Sequence, residues 1–416
     1  MTHRRVDRDD LLKALLSEGG VSMSLETGLI TLLVVSLVAT LAPFVVGLLH
    51  WARVPQVVVL IVGGVIIGPD VLGWAEPDAI GLLANIGLGF LFLMAGYELE
   101  LDLFRERGGR RAVVAWFVTA VLAVAVTGVL AAIGFVQAFV PVALGLTTTA
   151  FGTLLPILRD NDMLSGTFRS YILPAGAVGE FLPIVGIAIF LSANGEILGL
   201  VSLVAMGAVA LLLTFVPRLA RSQRFARITR EGEDETSQTT LRFTLTLLFA
   251  LLLVASNFGL DVVLGAFLAG VVLRRWAPGD VHSLEAKLDA VGYGFFIPLF
   301  FVASGMGLDL PSIAENPLRL LVFFVLLLVV RGLPALALYR RLLPLPQRFQ
   351  MMFLTATALP LLVALSEIGL STGDMLPANA AALVGAGVLS VMVFPGVAVA
   401  LNRRVRATHD DELPPD

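Results

Sequence analysis

The chain has 416 residues, is 57% hydrophobic and only 14% charged, and carries a formal net charge of -4 at pH 7. Soluble domains carry about 25% charged residues, so an ordinary soluble globule is excluded, and the small net charge gives no nucleic-acid footprint. Cysteine is absent and the four histidines (His3, His50, His282, His409) show no zinc-ligand spacing, which argues against an enzyme or a cofactor-bearing metal site.

Apolar runs of roughly 16–26 residues succeed one another, and about 20 residues cross the hydrocarbon core. The pattern predicts an all-α integral membrane protein with about 13 spans: 28–50, 54–69, 79–97, 112–135, 136–158, 169–193, 197–219, 240–257, 260–274, 291–309, 317–342, 347–371 and 378–402. Several are short or interrupted, consistent with 40 glycines and 21 prolines; irregular backbone at membrane depth lines a buried cavity. Residues 1–27 form a tail in which DRDDLLKALLSEGG reads as a short amphipathic helix, with no apolar core directly behind its charges as a signal peptide would have. Residues 194–239 supply a connector helix and a charged linker, and 403–416 a C-terminal tail.

Arginine and lysine set the orientation. Alternate loops together with the C-terminal tail hold 22 of the 28 basic residues, from Arg53 through Arg105, Arg159, Arg169, Arg274 and Arg340 to Arg406. The positive-inside rule makes that side cytoplasmic and puts the N-terminus outside. Two charges are left deep inside spans: Glu180 in RSYILPAGAVGEFLPIVGIAIFLSA and Arg331 in LRLLVFFVLLLVVRGLPALALYRRLL. A charge at bilayer depth costs several kcal/mol unless it is paired, neutralised or wet, and so marks a functional site.

The chain also repeats itself. TTTA at 147–150 recurs as TATA at 355–358, GGVII at 63–67 as AGVVL at 269–273, and FLMAGYELELDL as FVASGMGLDL, all at offsets of 206–208 residues. That offset covers seven spans, an odd number, so the second copy enters the membrane inverted. Residues 28–193 and 240–402 are therefore predicted as two inverted six-helix repeats, the architecture of secondary transporters that hold substrate near the midplane at discontinuous helices.

At a rise of ~1.5 Å per residue, Glu180, Thr148 and Arg331 lie roughly 14–16 Å from the basic side, and Thr355 to Pro360 roughly 10–18 Å. Thr147, Thr148 and Thr149, flanked by Gly145, Gly152 and Pro156, read as a helix break, as do Thr355 and Thr357 before Pro360. Two broken helices crossing at one depth can offer carbonyls to a cation or N–H groups to an anion, and composition does not choose between them.

VPQVVVLIVGGVIIGPDVLG, GFLFLMAGYELELDLF, GLTTTAFGTLLPILRDNDML, LGAFLAGVVL and FFIPLFFVASGMGLDL, in this order, resemble the second, third, fifth, ninth and tenth helices of the monovalent cation:proton antiporter superfamily. The resemblance covers about 50–402 and is closest to bacterial sodium/proton antiporters and the membrane part of potassium-efflux systems. It implies exchange of Na+ or K+ for H+ by alternating access, with crossing unwound helices, a homodimeric assembly in a bacterial inner membrane and no cofactor. It further implies that spans 4–6 and 11–13 move against a scaffold of spans 1–3 and 8–10.

Residue by residue, the resemblance implies Glu180 as the essential proton and cation carrier, and Arg331 as its counter-ion. Thr147, Thr148, Thr149, Thr355 and Thr357 fall on the crossing segments. Where relatives carry an acidic or amide residue before the essential acid, AGAVGE has Gly179, so a single carboxylate remains and the exchange is expected to be electroneutral. A Glu180–Arg331 ion pair is the expected resting arrangement, since breaking a buried pair costs about 3–5 kcal/mol. Glu98, Glu100, Asp102 and Asp309 read as solvated helix ends, Ser304 and Asn257 as satisfying helix neighbours, and Glu367 as an outer-vestibule candidate. Two rival readings stay open: an anion or organic-acid transporter of the same fold using Arg331, and a non-transporting sensor or partner subunit.

Overall fold

The computed structural model describes residues 25–49, 54–99, 101–105, 107–191, 196–215, 238–276 and 281–410. Most of the N-terminal tail, the bulk of the charged linker and residues 411–416 lie outside these, as do His3, His50 and Glu100 with the expectations placed on them.

Every regular element among the described residues is helical. In chain order they are α1 (Leu25–Leu48), α2 (Gln56–Ile67), α3 (Gly81–Glu98) and α4 (Arg107–Ala132). Next comes α5, in two halves (Phe139–Gly145 and Phe151–Asp160), followed by α6 (Gly166–Phe190), α7 (Glu196–Leu213), α8 (Thr239–Asn257) and α9 (Val262–Trp276). A π turn, Gly292–Phe296, joins Val281–Val291 to Ile297–Met306 in α10, and another, Leu327–Gly332, joins Pro317–Leu326 to Leu333–Leu338 in α11. The chain closes with α12, again in two halves (Leu345–Ala356 and Pro360–Ser371), and α13 (Pro377–Asp410).

Nine helices among the described residues are long and apolar enough to cross a membrane by length and composition. The other expected spans are shorter or interrupted, such as Gln56–Ile67 and the two halves of α5. Apolar side chains face outward over much of the surface, among them Leu33, Leu48, Phe117, Val121, Ile197 and Leu212. Water penalises that arrangement and lipid tolerates it. The most apolar stretch of α1 is 17% buried, whereas that of α12 is 83% buried. The broken helix therefore sits at the centre and α1 at the rim.

The helices fall into two packing groups. In one, α2 packs on α10 and α3 on α9. Glycines permit this: Gly64 meets Gly305, and Gly96 meets Phe267, so closely that a Cβ at either glycine would overlap a backbone carbonyl of the partner helix. Membrane helices lack a hydrophobic drive to associate and rely on such close backbone approach. In the other group, α4 packs on α6, α11 on α13, and both halves of α12 on α13.

Candidate ion site at the crossing of two broken helices

The breaks lie where the threonines and Pro360 placed them. The first half of α5 ends at Gly145 and the second begins at Phe151, leaving Leu146–Ala150 irregular. In α12 the helix stops at Ala356 and restarts at Pro360, which has no N–H to donate to the preceding turn. Each break exposes backbone groups, and the groups find partners across the crossing. The Ala150 N–H donates to the Thr357 carbonyl at 2.7 Å, and the Thr149 hydroxyl donates to the Thr355 carbonyl at 2.7 Å. The Thr149 N–H donates to the Gly179 carbonyl of α6 at 2.9 Å. On the far side of α12, Ser390 of α13 receives the Ala358 N–H at 3.0 Å and donates back to the Ala358 carbonyl at 2.9 Å.

The other threonines turn inward on their own helices. Thr147 and Thr148 donate to Leu144 and Gly145 at 2.7 and 2.9 Å; Thr355 and Thr357 donate to Met351 and Phe353 at 2.8 and 3.1 Å. Their hydroxyls donate back to carbonyls of the preceding turn, and Leu144 and Gly145 also accept the Thr147 and Thr148 N–H groups. All five threonines are buried, and each hydroxyl oxygen keeps lone pairs.

Arg331 sits in the π turn of α11 and is 4% exposed. Its Nε donates to the Thr149 hydroxyl at 3.0 Å and its Nη2 to the Ala175 carbonyl of α6 at 3.2 Å. Thr149 thus joins α5, α6, α11 and α12 at one point. The expected Glu180–Arg331 ion pair is not formed: Arg331 is bonded to Thr149 and Ala175, and Glu180 lies in the field of Glu98 rather than of Arg331. The reason is azimuthal. Successive helix residues point about 100° apart. The face of α6 towards Arg331 is Gly179, where a Cβ would overlap Arg331 Nη2 and Thr149 Oγ1. Glu180 therefore points elsewhere, and the guanidinium occupies the room a side chain at 179 would need.

Glu180 turns to the start of the second half of α5. Its carboxylate accepts the Gly152 N–H and lies in the field of Glu98. A helix N-terminus suits an anion there, because its first N–H groups are free and its dipole is positive. Glu180 is only partly buried. Glu98 approaches the same glycine: its Oε2 lies 3.9 Å from where a Cβ on Gly152 would be. Around Glu98 are Arg159, Arg274, Glu285 and Asp289, and Tyr293 interacts with Glu98, Glu180 and Asp289. These groups all lie at the basic ends of their helices, so the polar approach to Glu180 runs from that side.

This corrects the reading of Glu98 as a solvated helix end. It closes α3, but the second half of α5 passes beside it, a tertiary approach that helix position alone does not show. Gly152, the Ala175 carbonyl and Tyr293 were likewise outside the expected site; the one available signal was that Gly179 and Glu180 cannot both face Arg331. Other end-of-helix readings hold. Asp309 accepts the Ser312 N–H at 3.0 Å, Asp102 pairs with Arg105 on the surface, and Asn257 donates to Leu253 one turn back. Ser304 instead reaches across to Glu367 Oε1 at 2.9 Å.

A family profile described as sodium/hydrogen exchanger, transmembrane, matches residues 34–402. The chain belongs to the sodium/hydrogen exchanger family. Among proteins similar to this chain is the putative Na(+)/H(+) antiporter YjbQ of Bacillus subtilis (strain 168), 29% identical over 73% of the chain and 51% of that protein. The chain thus spans about half the length of YjbQ. The Na(+)/H(+)-K(+) antiporter GerN of Bacillus cereus is 27% identical over 66% of the chain and 70% of its own length. The structure of the sodium proton antiporter MjNhaP1 from Methanocaldococcus jannaschii at pH 8 shares the fold, with a TM-score of 0.59 at 16% identity, covering 91% of this chain and 97% of that one. The chain is accordingly a multi-pass membrane protein, helical throughout its described regular elements.

Proposed function

We propose that this exchanger swaps Na+ or K+ for protons by alternating access, with Glu180 binding either a proton or a cation in turn. One observation carries the reading: Glu180 stands beside the crossing of the two broken helices with a backbone N–H as its partner, while Arg331, the only cation buried at that depth among the described residues, is held by Thr149 and Ala175. A carboxylate without a fixed counter-ion is free to exchange its occupant. The relatives named for Na(+) and K(+) exchange support the same cations.

Each group has a task in the cycle. Glu180 supplies the charge. Lone pairs of Thr147, Thr148, Thr149, Thr355 and Thr357 and the carbonyls of the breaks supply neutral oxygen for a dehydrated monovalent cation. Glu98 adds negative field on the approach. Arg331 secures the break rather than neutralising Glu180. Because one carboxylate carries one charge, the exchange is one for one and electroneutral.

Two inverted repeats, 28–193 and 240–402, form the frame. The symmetric pairings support this: α2–α10 mirrors α9–α3, α4–α6 mirrors α11–α13, and Thr149 meets Thr355 at a separation of 206, close to the repeat offset. The α4–α6 and α11–α13 group moves against the scaffold of α1–α3 and α8–α10, the latter also offering the homodimer surface. The basic loops put the C-terminus in the cytoplasm and the N-terminus outside a bacterial inner membrane, with the polar approach to Glu180 cytoplasmic.

Purified protein in liposomes tests the reading. Internal pH should respond to external Na+ or K+, and Glu180→Gln should abolish the response; an unchanged Glu180→Gln variant would sink the mechanism. The anion-transporter reading is disfavoured because Arg331 is buried and already bonded. Anion-dependent flux lost in Arg331→Ala would restore it. Absence of any flux from folded protein would favour a sensor or partner subunit.

A further inference from the structure

Glu367 lies in the second half of α12, about two turns beyond Pro360 and at the end opposite the basic loops. It is partly buried, and the transport reading above gives it no part. Its partner is Ser304 of α10, whose hydroxyl donates to Glu367 Oε1 at 2.9 Å. Glu367 also lies in the field of Asp261. Asp261 caps α9 by accepting the Val263 N–H at 2.8 Å.

The significance is in which helices these are. α9 and α10 pack against α3 and α2, whereas α12 packs against α13 and the first half of α5. The Ser304–Glu367 hydrogen bond therefore crosses between the two packing groups, on the side away from the polar approach to Glu180. One turn deeper on the same face, Val363 is 1% exposed and belongs to an apolar cluster shared with Phe301, Leu264 and Val302 of the scaffold. At the basic end the same boundary carries polar, half-exposed groups: Glu98, Asp289 and Tyr293.

We propose that the Ser304–Glu367 hydrogen bond is the outer latch of the exchanger, holding the outer path closed in this inward-facing arrangement, with Glu367 as a positioning residue for the transport cycle. Opening outward requires α12 to move against α10, and that movement breaks this bond. Before any cation reaches the outer path, Glu367 must release Ser304. Its carboxylate, facing Ser304 and Asp261, then becomes available, together with Asp261, to a cation arriving from outside. The latch rests on the alternating-access reading, but it can be measured without transport.

The native chain has no cysteine. Val363→Cys therefore places a single thiol behind the latch, to be labelled in intact cells with a membrane-impermeant maleimide and, separately, from the inner side in inverted vesicles. Losing one hydrogen bond should shift the ratio of outward to inward forms about fivefold. Ser304→Ala and Glu367→Ala should each raise outside labelling by about that factor. Ser304→Thr, which keeps the hydroxyl, should label at the parent rate. Parent-rate labelling in both alanine variants would overturn the latch, and so would a rise from both sides, which marks general loosening. Intact flux in Glu180→Gln would instead remove the transport reading and leave the labelling result standing.

Discussion

Arg331 and Glu180 come from different helices at similar depth, yet their surroundings are opposite. Arg331 is 4% exposed, with Nε and Nη2 bonded to Thr149 and Ala175. Glu180 is partly buried, and its recorded bond is to one backbone N–H at the tip of a half-helix. The first is tied by two bonds to two different helices; the second is tied by one bond and is approached from one side. Charge at the bilayer centre is therefore not one kind of feature. Here Arg331 bridges the break and α6, and Glu180 meets the tip of a half-helix.

Four variants can break or sharpen this contrast. The widest separation is expected between flux and stability. Glu180→Gln should remove cation-driven proton flux, a loss of at least about 100-fold if the charge supplies about 3 kcal/mol of cation binding, while leaving thermal unfolding in detergent close to the parent. Arg331→Ala should do the reverse first: it removes the donors to the Thr149 hydroxyl and the Ala175 carbonyl and opens a cavity. Folded-state stability should fall by about 3 kcal/mol, read as a lower unfolding midpoint. Arg331→Ala protein with unchanged thermal stability but no flux would show that the guanidinium handles ions directly.

A smaller effect is expected at Gly179→Ala. A glycine-to-alanine change inside an exposed helix adds stability, but here the new methyl overlaps Arg331 and Thr149, so a net loss of about 1–3 kcal/mol should follow. A stabilised Gly179→Ala protein would mean that the guanidinium can move aside. The mildest change is Glu98→Gln. Removing a neighbouring negative charge should weaken cation affinity from the inner side about fivefold while exchange continues, measured as apparent KM in inverted vesicles. Unaltered KM would return Glu98 to the solvated helix end that its position first suggested.

The fold was legible because a bilayer imposes coarse rules. Apolar run length is read along one dimension, and so is depth. The threonine clusters and Pro360 marked both breaks for the same reason. Rotation about a helix axis is the missing coordinate. Glu180 and Arg331 share a depth but not a direction, so depth alone suggested an ion pair that Gly179 and Thr149 preclude. Glu98 escaped for a related reason: nothing in GYELELDL says that the second half of α5 will pass beside it. The number of spans was also soft, because α2 is shorter than a full crossing and α5 is divided.

The crossing has a consequence for how the protein is made. Thr149 and Ala150 find their partners in Thr355 and Thr357, more than two hundred residues later in the chain. At about 5–20 residues per second, a ribosome takes roughly 10–40 s to cover that distance. Until then, an open break in the nascent first half would leave peptide groups unpaired in hydrocarbon, at several kcal/mol each. The arriving second half supplies the carbonyls of Thr355 and Thr357 that pair those groups, so the break is completed only on assembly.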